Sequence, residues 1–183
     1  GDGPIGLMQL ILLRRLFSNR IKITVIGKIK HRLEKAKEIG ADLAMLLNDE
    51  DIEDNLKTIR DVNGAFSPNL VMVCTNNPNA VKLAFSAVNR NGKIMIFSGI
   101  KKGTNPDDNI ISIDPNFIHY NQVSVFGSFS SNPMDMVEAM GLAKSKQIDL
   151  NQLITHRFPL DKINEAIHAS ESFSGLKSII NKF

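Results

Sequence analysis

Strand-length apolar runs alternate with helix-length stretches along the whole of this 183-residue chain, and that alternation leaves few folds open. The spacing predicts strands at Ile21–Gly27, Leu43–Leu47, Leu70–Cys74, Ile94–Phe97, Val123–Gly127 and Leu176–Ile180. Between them it predicts helices over residues 4–18, 30–39, 50–61, 78–91, 115–120, 133–146 and 160–170. Pro4, Pro78, Pro115 and Pro133 each fall at a helix start, where a missing N–H costs nothing. Gly40 and Gly92 each follow a helix. Residues 99–113 form the longest irregular stretch. Runs such as LVMVC at 70–74 are apolar on both faces, so both sides of the sheet must be covered. The expected class is α/β: a doubly wound parallel sheet in a three-layer αβα arrangement.

The chain opens on Gly1-Asp2-Gly3-Pro4-Ile5-Gly6, which spells G-x-G-x-x-G. In a Rossmann-like fold this motif is the turn from the first strand into the first helix. Its glycines allow the tight turn and the close approach of backbone to a pyrophosphate. Gly1, Gly3 and Gly6, with Pro4 and Ile5 opening the helix, would present backbone N–H groups and a positive helix end to that anion. The strand that should lead into the turn is absent, so the sequence reads as a module cut from a longer protein.

Composition narrows the function classes. Hydrophobic residues at 43% and charged residues at 22% fit an ordinary globular domain. A net charge of +3, no Trp and one Tyr give little support to a nucleic-acid face. The single Cys74 rules out an intramolecular disulfide and an all-thiolate metal site, and fits a reducing compartment. The apolar run Ile5–Leu13 ends at Arg14-Arg15 and falls well short of the ~20 residues of a membrane span. No membrane partner and a cytoplasmic location are expected. Self-association into a homo-oligomer is left open.

Four stretches in order carry a family resemblance: GDGPIGL at 1–7, RLEKAKEIGAD at 32–42, NRNGKIMIFSG at 89–99 and LITHRFPLDKINEAI at 153–167. Through them the chain resembles the C-terminal part of the medium-chain dehydrogenase/reductases, the zinc-type alcohol and polyol dehydrogenases. The resemblance implies that residues 1–150 are the dinucleotide-binding domain and 151–183 a segment returning towards a catalytic domain that the sequence lacks. It places zinc only in that missing domain and assigns no catalytic or metal-ligating residue here. It also implies that backbone groups at positions 75, 98 and 100 hold the nicotinamide carboxamide.

In open α/β sheets, ligands bind beyond the carboxyl ends of the strands. That rule picks out Cys74-Thr75, Ser98-Gly99-Ile100 and Gly127-Ser128-Phe129 for the nicotinamide end, with the Cys74 side chain itself read as a small core residue. About 20 residues after the glycine turn, an NAD-preferring fold sets a carboxylate against the ribose 2′-hydroxyl. Here the strand ends at Gly27, and no carboxylate occurs from Gly3 through Leu33. A 2′-phosphate would fill the space beside Gly27 and pair with Lys28 or Arg32, so NADP is expected over NAD.

The four histidines are scattered, and His156 reads as a packing or interdomain residue. Glu50-Asp51 and Asp107-Asp108 read as helix-start and loop charges. The leading expectation is therefore the cofactor domain of a secondary alcohol or polyol dehydrogenase, inactive on its own. The alternatives are a zinc-free quinone or enoyl reductase of the same superfamily and a non-catalytic NADP-binding module. Without its first strand, the sheet should hold an open slot between Ile21–Gly27 and Leu70–Cys74. Either upstream chain fills it or another strand does, with Leu176–Ile180, from the same chain or a neighbour, the candidate donor.

Overall fold

The computed structural model describes residues 1–48, 52–62, 67–100 and 110–183. The elements run in chain order as α1 (Pro4–Phe17), β1 (Thr24–Gly27), α2 (Lys30–Ile39), β2 (Leu43–Leu46), α3 (Ile52–Val62), β3 (Leu70–Val73) and α4 (Pro78–Ala87). They continue as β4 (Lys93–Ile96), α5 (Pro115–Asn121), β5 (Ser124–Gly127), α6 (Pro133–Lys144), β6 (Ile154–Pro159), α7 (Ile163–Glu171) and β7 (Lys177–Lys182). The alternation is the expected one, and parallel sheets flanked by helices bear out the Rossmann-like class. The start expected for α3 near Glu50 and the Glu50-Asp51 and Asp107-Asp108 pairs lie outside the described residues.

The chain divides into two units, residues 1–46 with 131–183, and residues 47–130. In the first, β1 pairs with β2 in parallel, from Thr24 opposite Leu43 to Gly27 opposite Leu46. Its core gathers Leu7, Leu10 and Ile11 of α1, Val25 of β1, Leu33 and Ala36 of α2, and Leu153 from the C-terminal segment. Leu153 of this core, and the partly buried Leu176 packed against it, come from beyond residue 150. Arg14 ties the ends of α1 and α2 to the approach to β1. It donates to the carbonyls of Gly40 at 2.6 Å, Ser18 at 2.8 Å and Ile21 at 2.9 Å, and pairs with Asp42. Gly40 ends α2 with φ of 119°, a left-handed turn that favours glycine.

In the second unit, β3, β4 and β5 form one parallel ladder in that order, with Val73 opposite Ile96 and Ile96 opposite Gly127. Val73, Val81, Ala84, Phe85, Val88, Ile94 and Val123 make its core. Helix α4 is capped by the Asn77 side chain, which accepts from Asn79 N–H at 2.9 Å. It ends at Ala87, earlier than expected, because Val88 turns extended (ψ 142°) and its side chain joins the core.

Two expectations about strands are corrected. Residues 154–159 form a strand that the periodicity did not predict. Lys177–Lys182 pairs with it in parallel, so within this chain Leu176–Ile180 pairs with this strand and not with β1 or β3. Thr155 fastens the new pair: its Oγ1 accepts from Leu176 N–H at 3.0 Å and donates to the Lys177 carbonyl at 3.3 Å. Among the described residues β1 and β3 belong to different sheets and do not pair.

Candidate dinucleotide site

The glycine turn lies where the sequence puts it, at the start of α1. Gly3 is the N-cap residue, Pro4 and Ile5 open the helix, and the Leu7 N–H donates to the Gly3 carbonyl at 3.0 Å. Gly3 has an extended backbone with φ of −75°, which any residue adopts, and a Cβ built on it would meet no atom within 4 Å. Neither strain nor packing within the protein demands glycine there. The space beside it is open, as the close approach of a pyrophosphate to the backbone requires.

The strand ends of the second unit are brought together as expected. Because β3, β4 and β5 stop in register, Cys74-Thr75, Ser98-Gly99-Ile100 and Ser128-Phe129 leave the same edge, with Gly127 closing β5. Backbone bonds fix the exits: Phe97 and Ser98 N–H donate to the Val73 carbonyl at 3.1 and 3.2 Å, and Ser128 N–H donates to the Ile96 carbonyl at 3.2 Å. Gly99 and Gly127 resemble Gly3, in that a Cβ on either would meet nothing within 4 Å. The half-buried Cys74 lies with Sγ 3.8 Å from the Met72 carbonyl oxygen, and Ile100 packs on the core of this unit.

Around Gly27 the geometry departs from expectation. A Cβ at Gly27 would collide with Oδ2, Cβ and Cγ of Asp2. The Asp2 Oδ2 accepts the N–H groups of Lys28 at 2.9 Å and Ile29 at 2.8 Å. The space expected to hold a 2′-phosphate therefore holds a carboxylate from the glycine turn. Arg32, expected to pair with that phosphate, is buried with 6% exposure. One of its terminal amines donates to the Gly175 carbonyl, and its guanidinium lies 5.4 Å from the centre of the Phe173 ring. Burial pulls its pKa below the usual arginine value, and the Asp2 charge partly offsets this. Lys28 is exposed at the end of β1.

Sequence reasoning missed Asp2 because it searched for a carboxylate downstream of the turn, where the chain has none. The signal was present: Asp2 is the variable residue between the first two glycines. His156 stacks on Phe158 with ring centres 6.0 Å apart and lies 3.0 Å from Thr155 Oγ1, a packed position within the β6–β7 pair. Among the described residues, no three His, Cys, Asp or Glu side chains cluster as metal ligands. No helix among them is long and apolar enough to cross a membrane.

The chain is 29% identical over 181 residues to the sorbitol dehydrogenase of Rattus norvegicus, covering 98% of itself and 47% of that enzyme. It thus spans about half the length of the curated relatives it matches. Among solved structures, an alcohol dehydrogenase of Thermotoga maritima superposes with a TM-score of 0.84 at 26% identity, over 100% of this chain and 48% of that one. An Escherichia coli alcohol dehydrogenase solved with NADH shares the fold at 23% identity, with a TM-score of 0.79 over 98% of this chain and 49% of its own. The family model described as "Zinc-binding dehydrogenase" matches residues 4–145, from the first helical residue of the glycine turn through the three strand ends and α6. With its open glycine turn and aligned strand ends, the chain belongs to the zinc-binding dehydrogenase family.

Proposed function

We propose that this chain is the nicotinamide-dinucleotide-binding part of a dehydrogenase acting on a secondary alcohol or polyol. The observation that carries the reading is that Gly3, Gly99 and Gly127 each face open space, three glycines that neither protein packing nor a left-handed backbone explains. The pyrophosphate would lie on the N–H groups at the start of α1, and the nicotinamide beyond the ends of β3, β4 and β5. Backbone groups of Thr75, Ser98 and Ile100 would hold its carboxamide. When bound, the dinucleotide supplies the hydride acceptor or donor; the protein's share is binding and orientation. Zinc, which polarises the substrate oxygen in this kind of chemistry, needs ligands from outside the described residues.

NADP, favoured by the sequence through Gly27, Lys28 and Arg32, needs room beside Gly27 and an arginine available to a phosphate. The Asp2 carboxylate takes the room and Gly175 engages the arginine, so the geometry favours NAD. A single cysteine, Cys74, leaves no intramolecular disulfide to form, which supports a reducing, cytoplasmic setting. The resemblance to sorbitol dehydrogenases favours a polyol over the quinone or enoyl substrates of zinc-free relatives.

Calorimetric titration with NAD⁺ and NADP⁺ tests the reading. At least one should bind, and Gly3→Val should cost tenfold or more by filling the pyrophosphate approach, about 1.4 kcal/mol. Binding unaffected by Gly3→Val would refute the placement. A non-catalytic module would bind dinucleotide even when its full-length protein oxidises no polyol.

A further inference from the structure

We infer that Asp2 is the residue that selects NAD over NADP, delivered to the ribose site from the glycine turn instead of from the end of β1. The inference rests on the dinucleotide reading above. In the usual arrangement the carboxylate is carried by a side chain just past the second strand of the fold, the position of Gly27 here. Gly27 has no side chain, and the Asp2 carboxylate stands where one would begin, since a Cβ at Gly27 would overlap Asp2 Oδ2, Cβ and Cγ. The two residues act as one composite position, with the backbone of one and the carboxylate of the other.

The carboxylate is held rather than loosely placed. Its Oδ2 accepts the N–H groups of Lys28 at 2.9 Å and Ile29 at 2.8 Å, where the chain turns from β1 into α2. Those are the backbone donors that a 2′-phosphate bound at this turn would need. A carboxylate has two oxygens and about four lone-pair sites, so two N–H bonds leave acceptor capacity for ribose hydroxyls. A 2′-phosphate brought to the same place meets like charge with its donors already engaged. Arg32, the buried cation nearest to offering compensation, donates to the Gly175 carbonyl and lies over Phe173.

The test uses ADP-ribose and 2′-phospho-ADP-ribose, which differ only at the 2′ position and need no substrate domain. Their affinities are measured by calorimetry on the protein as its own gene expresses it. The protein should bind ADP-ribose about tenfold or more tightly than the 2′-phospho form, a discrimination of about 1.4 kcal/mol. Asp2→Asn should bring the ratio close to one. The double variant Asp2→Ala with Gly27→Asp, which moves the carboxylate onto β1, should restore the preference. Equal or tighter binding of the 2′-phospho form by the unaltered protein overturns the inference and leaves the dinucleotide reading standing. So does an unchanged ratio in Asp2→Asn. Failure of both probes to bind overturns the two together.

Discussion

The Arg14 guanidinium joins three segments, reaching the Gly40, Ser18 and Ile21 carbonyls and the Asp42 carboxylate with a side chain only 13% exposed. Truncation would leave several carbonyls without a donor at the junction of α1, β1 and α2. Arg14→Ala should therefore cost about 2–4 kcal/mol, read by urea denaturation. Arg14→Lys should recover only part of this, because a single ammonium cannot span the fork. Asp42 gives the same junction a pH dependence. Burial pushes its carboxyl up, but the Ile23 N–H bond at 2.6 Å, the Arg14 bond and the Arg14 charge outweigh this and hold it below the ordinary value. A depressed carboxylate contributes stability above its unfolded pKa of about 3.9 and loses it as pH falls through the lower folded value. Asp42→Asn should flatten the acid limb of the stability curve below about pH 4 and leave the limb above pH 6 parallel. An acid limb of unchanged slope would contradict the assignment.

At the scale of elements, the chain punctuation is legible and the pairing is less so. Asn77 was readable as the cap of α4, and Asn77→Ala should lower stability by about 1 kcal/mol in thermal melts. Gly40 was readable as the end of α2. Its φ of 119° makes Gly40→Ala costly by about 1 kcal/mol, although the atoms nearest to a methyl there would be those of Arg14, at ordinary distances. The strand β6 escaped because Thr155, His156 and Arg157 interrupt its apolar character, and its strand geometry is imposed by pairing with β7. The edge formed by Cys74, Ser98 and Gly127 could be placed from strand ends alone, since a parallel register sets all three at one side. The Asp2–Gly27 contact could not, because it is made between segments 25 residues apart that the fold lays side by side. Arg32 was misjudged for a related reason: its partner Gly175 comes from the far end of the chain.

At the scale of the whole molecule, the chain divides into two units, with the glycine turn and Asp2 in the first and the ends of β3, β4 and β5 in the second. With no metal-ligand cluster among the described residues, the 183-residue chain by itself should oxidise no polyol while still binding dinucleotide. Zinc-dependent reduction of NAD⁺ by this purified chain, followed at the absorbance of NADH, would contradict that. The order of the β3–β4–β5 ladder has a consequence of its own. Strand β4 is the central strand, hydrogen-bonded on both sides, and Ile94 within it is fully buried, whereas among the described residues β1 pairs only with β2 and β3 only with β4. Opening β4 to solvent means parting two ladders at once, while β1 or β3 can be bared along one side by a smaller fluctuation. Amide hydrogen exchange should accordingly be slowest at 93–96, with the amides of 24–27 and 70–73 releasing their protons earlier.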